Sequence, residues 1–143
     1  MDASEIRAKV KPIAAGHLSV RLLYLFGSMA RGDVHTGSDV DLAVLFGAST
    51  LEVFRELWAD LHAALGPLSF DLVVLNDADP VLAFDVIREG KPLFYRTDDD
   101  INDFETRAWH RYQDTRHLRA IGDHYLRERA KEWSSSRNRS ANA

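Results

Sequence analysis

The chain has 143 residues, of which 45% are hydrophobic and 28% charged, a size and composition typical of one globular domain rather than of a disordered or collagen-like chain. The absence of cysteine excludes disulfides and thiolate metal sites, and no apolar run approaches the roughly 18–20 residues of a membrane span. The formal net charge of −4 is uneven, because residues 1–100 carry 9 Lys and Arg against 16 Asp and Glu, and residues 101–143 carry 9 against 6. This distribution indicates an acidic body and a mildly basic C-terminal segment. Charged residues also interrupt the N-terminus where a signal peptide needs an apolar core, so we expect a cytoplasmic protein.

Helical and strand patterns alternate along the first hundred residues. The predicted elements begin with a helix from Ser4, its expected N-cap, to about Gly16, a strand at Val20–Phe26, a loop at Gly27–Ser38 with a helical turn at Ser28–Arg31, and a strand at Asp39–Phe46. They continue with a helix between a Ser49–Glu52 capping box and Gly66, a strand at Phe70–Leu75, a helix from Asp79 to Gly90, and a short edge strand at Pro92–Tyr95. Short buried strands interleaved with helices predict an α/β (α+β) sheet covered by helices.

The residues after the last strand have a helical pattern. A long helix is predicted from about Asp99 to Leu118, with a bend at Gly122 and a further helical stretch to about Trp133. Residues 134–143 contain no hydrophobe larger than alanine, which predicts a disordered tail. We therefore divide the chain into a core at 1–97, a C-terminal helical segment at 98–133 and a tail at 134–143.

Two carboxylates stand side by side at the start of the second strand. Because strand residues alternate between the two faces of a sheet, Asp39 and Asp41 are predicted to project from one side while Val40 and Leu42 point into the core. A divalent cation relieves the repulsion between two such charges, and Mg²⁺ prefers a few carboxylate oxygens together with substrate phosphates. Bulk water at an exposed strand end would also screen them, so the pair by itself leaves both interpretations open.

The loop before that strand adds a phosphate-binding pattern. Gly27 lets the backbone approach an anion closely, and the Ser28 hydroxyl with neighbouring N–H groups can donate to phosphate oxygens. A third acid, Asp71, lies in another apolar strand, where a carboxylate is costly unless it is paired or bound to metal. If the two strands are neighbours in the sheet, Asp71 lies beside Asp39 and Asp41.

These residues resemble a known signature. The sequence contains Gly27-Ser28 followed, after ten residues, by Asp39-Val40-Asp41. This pattern is similar to the signature of the DNA polymerase beta-like nucleotidyltransferase superfamily, and Asp71 takes the place of its third carboxylate. The residues around that signature and the later string VIREGKPLFY resemble the minimal nucleotidyltransferase (MNT) family, although Met29 stands where that family often has arginine. The resemblance covers roughly residues 5–120. It implies the nucleotidyltransferase fold, with a short mixed central sheet flanked by helices, a catalytic core at 1–97 and a long C-terminal helix.

The resemblance also implies the reaction, which is transfer of a nucleoside monophosphate from a nucleoside triphosphate to a hydroxyl with release of pyrophosphate. Asp39 and Asp41 would hold two Mg²⁺ ions, which in this chemistry stabilise the attacking and the leaving oxygens. Asp71 would complete the shell of one ion and help to deprotonate the acceptor hydroxyl.

The nucleotide-binding residues implied by the same resemblance lie in and around the loop. Gly27 and Ser28 would grip the β- and γ-phosphates, and the hydroxyl of Ser38 would add a contact. Arg31 would either neutralise developing charge or pair with a surface acid. ATP is the expected substrate.

MNT proteins of this layout resemble antitoxins whose partner is a HEPN-domain ribonuclease toxin, and as a family such antitoxins transfer AMP from ATP to a tyrosine of the toxin. We therefore expect an adenylyltransferase antitoxin of a HEPN/MNT toxin–antitoxin module that forms a hetero-oligomer with its toxin, without a membrane partner or direct nucleic-acid binding. The long C-terminal helix is the candidate contact surface, because it carries four large side chains near basic residues: Trp109, Tyr112, Leu118 and Tyr125. The same side chains could instead pack on the domain's own sheet.

Two alternatives remain open at this stage. One is a small-molecule nucleotidyltransferase of the aminoglycoside-modifying type, for which 143 residues leave little room for an additional substrate domain. The other is a non-catalytic antitoxin that neutralises its partner by binding alone, although such a protein would have no need to retain three costly carboxylates.

Overall fold

A computed structural model describes the backbone of residues 1–32 and 39–141 and the side chains of these residues as far as 134. Its elements in chain order are α1 (Ala3–Gly16), β1 (Val20–Phe26), α2 (Ser28–Arg31), β2 (Val40–Phe46), α3 (Leu51–Leu65), β3 (Phe70–Val74), α4 (Pro80–Glu89), β4 (Lys91–Tyr95), α5 (Asp98–Asp114) and α6 (Arg116–Ala141). Every strand predicted from the sequence is present, with ends that differ by one residue at most.

The four strands form one sheet in the order β3-β2-β1-β4. β1 pairs antiparallel with both β2 and β4, whereas β2 pairs parallel with β3. The connection between the parallel strands contains α3, as a parallel pair requires. The sheet is therefore short, mixed and flanked by helices, which confirms the predicted fold class.

Helices cover both faces of the sheet because its strands are apolar on both sides. One face packs against α1 and α3, and on β2 it consists of alternate residues that are all buried: Val40, Leu42, Val44 and Phe46. The other face packs against α4 and α5, where Leu22, Tyr24 and Ala43 meet Phe104 and Ala108. The alternation predicted for β2 is thus observed, and it leaves the Asp41 side chain on the α4/α5 face.

Two helix N-caps differ from the sequence prediction. Asp2, not Ser4, caps α1, because its carboxylate accepts a hydrogen bond from the Glu5 N–H at 2.9 Å. Thr50, not Ser49, caps α3, because its hydroxyl accepts from the Val53 N–H at 3.2 Å. In both cases the observed cap lies three residues before the N–H that it satisfies, as is usual for an N-cap side chain.

The C-terminal helix is broken at Thr115 and not at Gly122. The Thr115 hydroxyl donates to the Arg111 carbonyl at 2.9 Å and accepts from Arg119 Nη1 at 2.6 Å, so the break is held by side-chain hydrogen bonds. Gly122 lies inside α6, since a glycine in a helix costs only about 1 kcal/mol relative to alanine. The backbone of α6 continues to Ala141 through the segment predicted as a disordered tail, whose serine and arginine residues are compatible with a helix.

Most of the large side chains predicted as a contact surface face solvent. Trp109, Leu118 and Tyr125 are 48%, 58% and 60% exposed. Of the four, only Tyr112 packs on the domain, stacking on Phe84 of α4 with ring centroids 3.9 Å apart.

None of the helices in the described part of the chain combines the length and the apolar composition of a membrane span.

Candidate functional site

Asp41 lies at the centre of the candidate site, on the second residue of β2. The antiparallel register places it opposite Phe26, the last residue of β1, and the parallel register places it opposite Asp71 of β3. Because adjacent strands are about 4.8 Å apart, the two carboxylates lie next to each other on neighbouring strands. The adjacency of the two strands, which the sequence left conditional, is therefore confirmed.

The turn that follows β1 packs directly on the Asp41 carboxylate. Gly27 has φ of 73°, a left-handed conformation that glycine adopts without the steric penalty of a side chain. A Cβ atom on Gly27 would overlap Asp41 Oδ2, so a larger residue would displace either the turn or the carboxylate. Glycine is required here for two independent reasons, its backbone conformation and the lack of space.

The short helix α2 begins immediately after Gly27. Ser28 is its first residue, and the Gly27 carbonyl accepts from the N–H groups of Ala30 and Arg31, both at 3.2 Å. The N–H groups of Ser28 and Met29, the first two residues of this helix, have no carbonyl partner within it and can donate to an anion. The Met29 side chain is only 5% exposed and packs into the core, so at this position, where the MNT family often has arginine, it contributes hydrophobic packing.

The three predicted acids differ in exposure. Asp41 is half-buried, whereas Asp39 and Asp71 are exposed. Burial raises the pKa of the Asp41 carboxyl above its ordinary value, the negative charges of Asp71 and then Asp39 raise it further, and the Arg31 guanidinium lowers it. Asp71 lies opposite Asp41 in the register, Asp39 is two residues before it, and Arg31 is in the short helix after Gly27, so these four residues lie at one corner of the molecule.

This corner suits a hard cation by the chemistry of its ligands. Carboxylate oxygens are what Mg²⁺ prefers, and three acids whose charges disfavour one another would be stabilised by it. Among residues 1–32 and 39–134, no three histidine, aspartate or glutamate side chains converge closely enough to hold a metal by themselves. A metal ion at this corner would therefore need further oxygen ligands, which substrate phosphates can supply.

Arg31 has a carboxylate partner that the sequence did not reveal. Its Nη1 lies 3.2 Å from Oε2 of Glu89, the last residue of α4. The two residues are 58 positions apart in the chain, so no local pattern connects them. Pairing with a surface acid, one of the two roles expected for Arg31, is therefore observed; a role in binding nucleotide stays a prediction.

One predicted nucleotide-binding residue, Ser38, lies outside the described residues. The remaining six predicted residues come together from three parts of the fold: Gly27, Ser28 and Arg31 from the turn after β1, Asp39 and Asp41 from the start of β2, and Asp71 from β3. Their assignment to catalysis, nucleotide binding or metal binding stays a prediction.

Comparison with known proteins connects this corner to a family. Residues 8–99 match the family model described as polymerase beta, nucleotidyltransferase. A curated relative from Shewanella oneidensis, the protein adenylyltransferase MntA, is 40% identical over 82 residues, or 57% of this chain and 58% of the relative. The aligned region thus spans less than two thirds of that relative's length.

Two solved structures extend the similarity over most of the chain. A toxin–antitoxin crystal structure with AMP-PNP has a TM-score of 0.70 and 32% identity, and the match covers 84% of this chain and 98% of that one. A Shewanella oneidensis structure, of a tri-AMPylated HEPN toxin in complex with an MNT antitoxin, has a TM-score of 0.67 and 28% identity, with 86% and 98% covered.

Proposed function

Because this chain belongs to the polymerase beta nucleotidyltransferase family, we propose that it is an antitoxin that transfers AMP from ATP to a tyrosine hydroxyl of a cognate HEPN ribonuclease toxin. The observation that carries the proposal is the position of Asp41, which lies between the Gly27 turn and Asp71. A turn that begins a helix next to the three carboxylates can provide for both parts of a nucleotide: N–H donors for its phosphates and carboxylate oxygens for its metal ions.

The solved neighbours support the choice of nucleotide and acceptor. One of them holds AMP-PNP, an ATP analogue, and in another the HEPN toxin is tri-AMPylated. Both are similar to this chain over more than four fifths of its length. That similarity supports ATP as the substrate and a HEPN toxin as the acceptor.

The proposed reaction forms a bond between the acceptor oxygen and the α-phosphorus of ATP and breaks the bond from that phosphorus to the β-phosphate bridging oxygen. Gly27 and Ser28 hold the β- and γ-phosphates through backbone N–H groups and the serine hydroxyl. Asp39, Asp41 and Asp71 would hold Mg²⁺, which when bound would supply charge stabilisation for the attacking and leaving oxygens. Asp71 accepts the proton of the acceptor hydroxyl, and pyrophosphate leaves.

The difference in exposure between the acids fits these roles. Asp41 is half-buried beneath the turn, where it is held in place, whereas Asp71 is exposed and accessible to a hydroxyl on another protein. A protein acceptor brings its own recognition surface, so the transferase needs no separate substrate domain. Cytoplasmic location is part of this proposal, because the acceptor is an intracellular ribonuclease.

Radioactive transfer tests the proposed function. We expect α-labelled ATP and Mg²⁺ to label a purified HEPN ribonuclease from the same organism when this chain is present, and a Tyr→Phe change at the acceptor to abolish the label. Label on an aminoglycoside panel but not on the ribonuclease would establish the small-molecule alternative. Neutralisation of the ribonuclease without any label, with each of the four nucleoside triphosphates, would establish neutralisation by contact alone.

The exposed face of α6 is the surface that we assign to the toxin in this proposal. Leu118, Ile121 and Tyr125 follow i, i+3, i+7 spacing, which places them on one face, and they are 58%, 63% and 60% exposed. Their side chains reach solvent because α6 extends from the end of α5, beyond the sheet. The similar solved antitoxins occur in complexes with a toxin, which gives this face an occupant of defined kind.

Replacing these three residues by serine is expected to weaken the complex with the toxin by about 10- to 100-fold, because apolar and aromatic anchors dominate interface energies. Isothermal titration calorimetry measures the change in dissociation constant. The matched control replaces Asp123 and Arg127 by serine, since this exposed pair leaves the net charge unchanged and lies on the opposite face of the helix. Equal affinity of the triple variant and the unchanged chain would assign the toxin to another surface.

A further inference from the structure

A cavity of about 500 Å³ lies at the opposite end of the sheet from the candidate active site. It is bordered by Phe46 and Gly47 at the end of β2, whereas Asp41 is near the start of that strand. At about 3.3 Å per residue, the two positions are separated by about 17 Å along β2. The cavity is therefore separate from the corner formed by the three acids.

Three arginines from two elements surround this cavity: Arg21 of β1 and Arg107 and Arg111 of α5. Arg107 and Arg111 are four residues apart on the same helix face, an arrangement in which like charges repel. Asp100 is the one acid among the lining residues, and its Oδ2 is 3.8 Å from Nη1 of Arg21. The lining thus carries a net charge of about +2, although residues 1–100 as a whole are acidic.

The two helical arginines are poorly compensated by the protein itself. Arg107 Nε donates to the Asp103 carbonyl and Arg111 Nη2 to the Ala78 carbonyl, both at the long distance of 3.4 Å. Within the described part of the chain, neither guanidinium forms an ion pair with a carboxylate. Most of their N–H donors remain available to a ligand.

The packing around Arg21 also favours an open cavity. A Cβ atom on Gly47 would come within 3.1 Å of Arg21 Nε, so the glycine leaves room for the guanidinium beside the start of β1. Thr97 adds a hydroxyl to the lining, and Leu75 and Phe104 form an apolar floor that is almost completely buried. The volume is within the range of about 300–1,000 Å³ that is typical of small-molecule sites.

We propose that this cavity binds a small ligand that carries a phosphate group. Three guanidiniums match the charge and the several oxygens of a phosphate, because each presents a planar fork of donors that can make paired hydrogen bonds. A single carboxylate would occupy fewer of these donors, and a cation would be repelled. The ligand would relieve the repulsion between Arg107 and Arg111, which gives the binding its driving force.

Titration calorimetry tests this proposal with inorganic phosphate and with ribose 5-phosphate, in buffer containing EDTA so that no metal bridges the probe to Asp39, Asp41 or Asp71. We expect at least one probe to bind, and Arg107→Gln with Arg111→Gln to weaken that binding by about tenfold or more. Arg21→Gln, on a different element, is expected to act in the same direction. Whichever probe binds more tightly identifies the source of the phosphate group, free or esterified.

The matched control is Arg127→Gln with Arg129→Gln, which removes the same charge from exposed positions on α6. Circular dichroism verifies that each variant keeps its fold. The proposal is overturned if neither probe binds at about 10 mM, the limit of millimolar affinity, or if both arginine pairs reduce binding equally. It is also overturned if Ser28→Ala abolishes binding while the cavity variants retain it, because the probe then occupies the active-site corner.

Discussion

Asp41→Asn is expected to abolish AMP transfer to the partner while leaving the protein folded. The substitution keeps the shape of the side chain but removes the charge of the acid that lies between the Gly27 turn and Asp71. In the proposed reaction Asp41 would help to hold the metal ions that stabilise the attacking and leaving oxygens, and removing one such electrostatic stabiliser lowers a rate by on the order of 10³-fold. The initial rate of labelling from α-labelled ATP measures this change.

The stability of the same variant separates a catalytic role from a structural one. Burial and the charges of Asp71 and Asp39 raise the pKa of Asp41 in the folded protein, so ionised Asp41 opposes folding as the pH rises through that pKa. Asparagine does not ionise, and the variant therefore lacks this loss of stability. In metal-free buffer at neutral pH, we expect the free energy of unfolding of Asp41→Asn to equal or exceed that of the unchanged chain.

The matched control for this experiment is Asp77→Asn, an exposed aspartate in the loop after β3. It removes the same charge away from the corner, and its transfer rate is expected to stay within about twofold of the unchanged chain, because exposed charges are largely screened. Undiminished transfer by Asp41→Asn would rule out the proposed catalytic role. Equal loss in both variants would show that overall charge, and not the carboxylate at position 41, determines the rate.

Gly27→Ala is expected to damage both the fold and the reaction. Alanine at φ of 73° is strained, and its Cβ would overlap Asp41 Oδ2. Strain of this kind costs about 1–3 kcal/mol, and displacement of the carboxylate by a fraction of an ångström to 1 Å lowers the rate by about 10²-fold. Chemical denaturation measures the loss of stability, and the labelling assay measures the loss of transfer.

Gly32→Ala is the control that isolates the collision with Asp41. Gly32 also has a left-handed backbone, with φ of 80°, but among the described residues, its chain neighbours aside, no atom lies within 4 Å of the position that its Cβ would take. This variant has the strain without the collision, so we expect a similar loss of stability, about 1 kcal/mol, with little loss of transfer. If Gly27→Ala and Gly32→Ala transfer AMP equally well, close packing of the turn on Asp41 has no part in the reaction.

Local patterns predicted the elements of this fold well, because they depend on neighbouring residues. The alternation of polar and apolar residues in β2 predicted that Asp41 and Val40 face opposite sides, and the structure buries Val40 and leaves Asp41 at the corner. The helix caps were less predictable, since Ser49 and Thr50 are equally suitable by residue type. Geometry alone selects Thr50, whose hydroxyl reaches the Val53 N–H.

The C-terminal helices show where propensity fails as a guide. Gly122 was expected to interrupt the helix, but the break occurs at Thr115, where contacts with Arg111 and Arg119 hold a different conformation. The residue type at position 115 does not reveal this, because threonine is common within helices as well as at their ends. The difference arises from side-chain hydrogen bonds that form only once the surrounding turns are in place.

The sequence by itself determined which residues we propose to carry the chemistry of this protein, since the turn at Gly27, the spacing to Asp39 and Asp41 and the acid at Asp71 are all local features. Only the tertiary structure decided which of them touch. Parallel pairing of β2 with β3 brings Asp71 beside Asp41, the left-handed turn fits Gly27 against the same carboxylate, and α5 carries its two arginines to the far end of the sheet, facing β1. These contacts join residues distant in the chain, and they follow from burying the apolar faces of the sheet under helices on both sides.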